Sequence, residues 1–82
     1  DVFSDHLICR DVNWMAIDGL HGEEREVLAK IRYSHKGSPC IIRELPDGTV
    51  ECRFKEPQRA ITPGQAVVLY EDGYVLGGGT II

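Results

Sequence analysis

Three cysteines, Cys9, Cys40 and Cys52, and three histidines, His6, His21 and His35, have the widest chemical range of any side chains in this 82-residue chain. Thiolates and imidazoles build a tetrahedral metal site when two closely spaced pairs converge. His35 and Cys40 stand five apart across a turn, but no second close pair completes a set, so surface or turn positions are expected for the histidines. A thiol becomes a nucleophile or redox group at a helix N-terminus, beside a cation or inside a C-x-x-C motif. None of the three has such a setting. They read as small buried hydrophobes, Cys52 above all, and an independent sulfur or redox enzyme working through Cys40 would need a depressed thiol pKa that the sequence does not supply.

Gly77-Gly78-Gly79 has the composition of a phosphate cradle, but such loops work ahead of a helix N-terminus, and this triplet runs into Thr80-Ile81-Ile82. A strand bulge or a close backbone approach is expected instead. Neither a Ser-His-Asp or Cys-His arrangement nor a paired-carboxylate motif can be picked out, which argues against an independent enzyme. Lys30-Ile31-Arg32-Tyr33, with Lys36 beyond it and Arg59 further on, sets cations beside an aromatic ring. That chemistry suits phosphate contact and base stacking, and equally a strand that turns its polar residues to water.

The net charge of −4 runs against a free-standing nucleic-acid binder. Its distribution is uneven: residues 25–59 carry eight of the nine Lys and Arg against five acids, and the remainder is strongly acidic. A basic middle between acidic ends can present a phosphate-facing stripe. An odd cysteine count without framework spacing suits a reducing compartment, and the cytosol is expected. No apolar stretch reaches the ~20 residues that cross a bilayer, so no membrane role is expected.

The elements that must position these residues are strands. Hydrophobic residues are 43% and charged residues 27%, as in ordinary globular domains, and the length suits one domain over residues 1–82. Leu7-Ile8-Cys9 reads as one strand and Val12–Met15 as a second; Val27–Tyr33 alternates with period two; Ser34–Pro39 is a turn; Cys40–Leu45 and Val50–Phe54 flank Pro46-Asp47-Gly48-Thr49. With Asp47-Gly48 as a two-residue loop, Leu45 faces Val50, Arg43 faces Cys52 and Ile41 faces Phe54. That register makes these pairs the core face, puts Cys40 and Cys52 on opposite faces and predicts no bridge between them. Two prolines and a Pro-Gly pair between Glu56 and Gln65 predict neither a helix nor a central strand. Ala66–Tyr70 reads as a buried strand, Glu71-Asp72-Gly73 as a second tight hairpin, and the last strand, from Tyr74, as broken or bulged at the glycines. The expectation is all-β: a small antiparallel β-barrel of about six strands.

Several stretches, in order and at fixed separation, resemble one family. They are Leu7–Trp14, Lys30–Tyr33, Glu56-Pro57-Gln58-Arg59-Ala60-Ile61-Thr62-Pro63-Gly64-Gln65 with Ala66–Tyr70 behind it, and Val75-Leu76-Gly77-Gly78-Gly79-Thr80-Ile81-Ile82. Together they are similar to the C-terminal domain of the tRNA-specific 2-thiouridylases. The resemblance covers nearly the whole chain and implies a barrel similar to translation-factor second domains. It further implies a parent enzyme whose N-terminal domain, bearing a Ser-Gly-Gly-x-Asp-Ser loop, uses ATP and Mg²⁺ to activate the wobble uridine while two catalytic cysteines deliver sulfur from a sulfur-relay protein. That loop is missing here, and Cys9, Cys40 and Cys52 lie outside the catalytic positions. The implied role is non-catalytic: closing over tRNA beside the N-terminal catalytic and central domains, with Lys30, Arg32, Tyr33, Gln58, Arg59 and Gln65 as candidate tRNA contacts and no cofactor of its own. The alternative is a structural or protein-docking barrel that braces the catalytic domain without touching RNA.

Overall fold

The computed structural model describes residues 3–31, 37–59 and 61–82, the side chain of Arg59 excepted. Six strands, β1 (Phe3–Trp14), β2 (Arg25–Ile31), β3 (Ser38–Glu44), β4 (Val50–Arg59), β5 (Ala66–Glu71) and β6 (Tyr74–Ile81), make up its regular structure. Each pairs antiparallel with two neighbours, and the sheet closes on itself in the order β1-β4-β3-β2-β5-β6. Closure leaves inward residues to fill the interior. Among them, Ile42, Val50, Val67, Leu69, Leu76 and all three cysteines are at most 1% exposed.

The Cys40–Phe54 hairpin departs from the expected register by one residue. Cys40 pairs with Phe54, Ile42 with Cys52 and Glu44 with Val50. The loop holds three residues, Pro46-Asp47-Gly48: Leu45 N donates to Thr49 O at 2.8 Å and Gly48 N to Leu45 O at 3.0 Å. Gly48 takes the left-handed conformation (φ 89°) that such a loop requires of its last residue. A shift of one residue reverses every side chain of the strand that slips, here β3, while Val50, Cys52 and Phe54 keep the core face expected of them. Cys40 and Ile42 therefore point inward beside Cys52 and Phe54, while Ile41 and Arg43 face out. The three thiols are free, although Cys40 and Cys52 share a face. The second hairpin is the two-residue kind: Glu71 pairs with Tyr74, and Asp72 (φ 52°) and Gly73 (φ 83°) both turn left-handed.

Three more expectations change. Leu7–Cys9 and Val12–Trp14 belong to one strand, which survives because the extra residue is absorbed between Arg10 and Asn13, where Asp11 adopts φ 55°. β4 runs past Pro57 to Arg59; the proline falls between Arg53 and Gln58, opposite Asp5, where β4 bulges and no ladder bond is needed from it. β6 is not broken at the glycines; it bulges just ahead of them, at Leu76, between the Tyr70–Val75 and Leu69–Gly77 pairs, and runs on through Gly77–Gly79. A Cβ at Gly77 would lie 2.6 Å from Asn13 O, one at Gly78 2.9 Å from Val67 O, and one at Gly79 2.8 Å from Arg10 O. The triplet thus lets β6 press between β1 and β5, the close backbone approach expected of it.

Candidate nucleic-acid interface

Strand direction sorts the six candidate residues. Running antiparallel around the barrel, β2 and β4 end, and β3 and β5 begin, at the end where β1 starts and β6 finishes. Lys30, Gln58, Arg59 and Gln65 sit at those strand ends. Arg32 and Tyr33 lie outside the described residues, directly after Ile31, as does His35. The sequence joining Ile31 to Gly37 carries Arg32 and Lys36 and no acid, and that joining Arg59 to Ala66 carries no acid either. The nearest strand acids are Asp5 and Glu56. At the opposite end the three connections hold Asp18, Glu23, Glu24, Asp47 and Asp72 and no Lys or Arg. Charge is polarised along the barrel axis, which the linear segment count did not show.

Side-chain geometry separates the candidates further. Lys30 is half-buried on the outer wall and lines a shallow groove with Ile31, Ala66, Val68 and Tyr70, its stem against apolar surface. Gln58 accepts a hydrogen bond from Ser38 Oγ at 3.0 Å and donates one to Glu56 O at 2.9 Å, so it links β4 to the start of β3. Gln65 Oε1 accepts from Thr62 N at 3.2 Å and closes the turn ahead of β5. Both glutamines hold the framework of this end.

Other cations are already neutralised. Arg25 grips Glu71 through Nη2 at 2.6 Å and through Nε, Arg43 meets Glu51 at 2.7 Å, and Lys55 pairs with Glu26. Hydrogen bonding to Arg25 holds the Glu71 carboxyl below the usual carboxylate range. Among the described residues no carboxylate lies within ion-pairing distance of Lys30 or Arg53. Arg53, exposed on the outer wall between β1 and β3, is a cation that motif reading passed over; its outward position in β4 was the signal for it.

The remaining reactive groups are spoken for by structure. Cys9, Cys40 and Cys52 are each 0% exposed. Contact with the Cys40 and Cys9 thiols, and burial, push the Cys52 thiol far above its ordinary range. His21 bonds Asp18 at 2.6 Å and His6 meets Asp5 at 3.3 Å, both at the surface. Among the described residues no group of three or more His, Cys, Asp or Glu is placed to hold a metal. The glycine triplet faces protein backbone, so it offers no nucleotide cradle.

Comparison with known proteins agrees with the β-barrel fold. Residues 4–81 match the aminomethyltransferase β-barrel domain family. A tRNA-specific 2-thiouridylase MnmA of Lachnoclostridium phytofermentans is 52% identical over 82 residues, which are all of this chain and 23% of that protein. The corresponding proteins of Thermoanaerobacter pseudethanolicus and Clostridioides difficile are 54% and 49% identical over 81 residues, 22% of each. The chain spans less than a quarter of the length of these curated relatives.

Proposed function

The chain belongs to this β-barrel family, as the C-terminal domain of tRNA-specific 2-thiouridylases, and on that premise we propose that it is a non-catalytic module that helps position tRNA for 2-thiolation of the wobble uridine. Sulfur transfer, with its ATP, Mg²⁺ and sulfur-relay partner, is assigned to the rest of the parent enzyme, in the cytosol. The charge polarity of the barrel carries the reading: Lys30 and Arg59 stand at the end whose connections hold cations and no acid, and the other end holds five acids. An RNA backbone brought near such a barrel is drawn to one end and repelled from the other. Arg32 and Tyr33, two and three residues beyond Lys30 in sequence, add a second cation and a ring able to stack on a base. Gln58 and Gln65 act by holding the strand ends in place.

The test uses the full-length parent enzyme. Lys30→Glu and Arg59→Glu are expected to weaken tRNA binding and to flatten its salt dependence by a slope of roughly 0.7–0.9 for each phosphate no longer neutralised, with the unfolding midpoint unchanged. Asp72→Lys at the acidic end should leave affinity within about twofold, being distant from the proposed RNA-facing surface. Unchanged affinity in both charge-reversal variants would show that this end does not meet RNA.

A further inference from the structure

An antiparallel barrel facing water on its outside should alternate, apolar inward and polar outward. The wall formed by β1 and β4 is mainly polar: His6, Arg10, Arg53 and Lys55 face out and are exposed, and Phe3, at the very start of β1, is its one large exposed apolar side chain among the described residues. The opposite wall departs from the rule. Pro39, Leu28, Tyr70 and Val75 are successive cross-strand partners on β3, β2, β5 and β6, and they form one apolar row across four strands. Leu28 is 43% exposed, and Ile41, on the neighbouring outward position of β3, is 36% exposed. The continuous apolar run Val67–Tyr70 is the trace of this wall in the sequence, since Val67 and Leu69 fill the core and Val68 and Tyr70 face out.

A groove crosses the row, floored by Leu28, Pro39 and Tyr70 and bordered by Glu26, Lys55, Glu71 and Asp72. Its border is largely self-neutralised, Lys55 by Glu26 and Glu71 by Arg25, and the remaining charge is Asp72. Such a surface has nothing to hold a phosphate backbone. An apolar centre with a paired polar rim is instead the anatomy of contacts between domains of one chain. In the relatives the matched region is 23% of the protein, so a barrel of this kind is tethered to a polypeptide about three times its own length. Tethering raises the effective concentration of the two surfaces to about millimolar, at which a modest apolar contact is enough to hold. Resting on the family reading above, we propose that the outer wall around the Pro39, Leu28, Tyr70 and Val75 row is the face on which the barrel packs against the remainder of its parent chain, with Lys30, two residues beyond Leu28 at the end of β2, left outside the contact. The basic end stays open to RNA.

Thiol labelling of the full-length parent enzyme, free of RNA, tests this. The native thiols of the barrel are buried, so a cysteine introduced at Leu28 or Ile41 reports on the wall, and Arg10→Cys and Asp47→Cys report on exposed positions away from it; labelled peptides are resolved by mass spectrometry. Leu28→Cys and Ile41→Cys are expected to label about tenfold more slowly than the two reference sites, the protection given by a docking equilibrium of about 1.4 kcal/mol. Equal rates at all four positions would overturn the proposal. So would protection that rises with protein concentration, which identifies a second copy as the occupant, or protection that appears only when tRNA is added. Failure of the charge-reversal experiment would leave these rates unaffected, so the two readings fail separately.

Discussion

At single residues the structure turns on contacts too close for ordinary side chains. Gly79 is such a position: an added Cβ would meet Arg10 O at 2.8 Å and Val12 Cγ2 at 3.0 Å, and a strand backbone cannot move away without breaking its ladder. Gly79→Ala is expected to destabilise the fold by about 1–3 kcal/mol in urea unfolding, as overpacking does. Gly64→Ala, where only φ 93° is at issue and nothing lies within 4 Å, is expected to lose about 1–2 kcal/mol. A larger loss at Gly64 would mean that conformation, rather than crowding, governs the glycines. Charge at the residue scale has its own signature in Asp18 and His21. Their hydrogen bond, and the attraction behind it, raises the imidazole pKa and lowers the carboxyl pKa. A raised imidazole stabilises below its ordinary value of about 6.5 and loses that contribution as pH rises through the folded value; a lowered carboxyl stabilises above about 3.9 and loses it as pH falls through the folded value. The melting-temperature difference between the native chain and His21→Asn, a residue that tolerates the φ of 55° at this position, is therefore expected to be greatest between about pH 4 and 6.5 and to shrink toward pH 9. A difference independent of pH would show that the pair does not act in solution.

Among the elements, strand existence was legible in residue pattern and strand register was not. Val27–Ile31, Cys40–Glu44 and Ala66–Tyr70 stand out by period or composition, because β-branched and aromatic residues cluster there. Asp47-Gly48 suggested a two-residue loop, however, and only the three-residue loop lets Cys40, Ile42, Cys52 and Phe54 fill a common interior. Alternation could not choose between them, since both Ile41 and Ile42 are apolar. Ile42→Ala is expected to destabilise by about 2–5 kcal/mol, as removal of a fully buried aliphatic group does, and Ile41→Ala by no more than about 0.5 kcal/mol. Denaturant unfolding of the two variants measures both, and the reverse order would restore the two-residue loop. Pro57 and Asp11 concealed strand continuity for a related reason: bulges tolerate residues that regular ladders exclude, and they are set by the partner strand rather than by local sequence. The candidate interface was legible as residue types in Lys30, Arg32, Tyr33 and Arg59. Its axial polarity needed the topology, which sends connections adjacent in space to distant places in the chain.

The whole barrel unites the two scales in its thiols. Cys9 on β1, Cys40 on β3 and Cys52 on β4 come from three different strands, and Cys52 contacts both of the others in the interior. Exposing any one of them means separating strands that close the barrel, because β4 lies between β1 and β3 and pairs with both over Val50–Arg53, the stretch that holds Cys52. Local fraying at the strand ends leaves the cluster covered. The isolated domain is therefore expected to show no fast-reacting thiol toward a disulfide reagent at neutral pH, and to release three equivalents together at the rate of global unfolding. Alkali should weaken this protection through Cys52, against an opposing contribution from Cys9, whose thiol the contact with Cys52 holds below its ordinary range. Contact with the Cys40 and Cys9 thiols, and burial, raise the Cys52 pKa in the folded state, so its stabilising contribution is complete below the unfolded thiol value of about 8.5 and declines as pH rises above it. Unfolding midpoints measured at pH 7 and pH 10 should fall accordingly, and Cys52→Ala, which removes the titrating group, should reduce that fall even though it lowers stability at pH 7. One equivalent reacting well before the other two would place a cysteine on a separately opening part of the barrel and divide what the closed sheet presents as a single cooperative core.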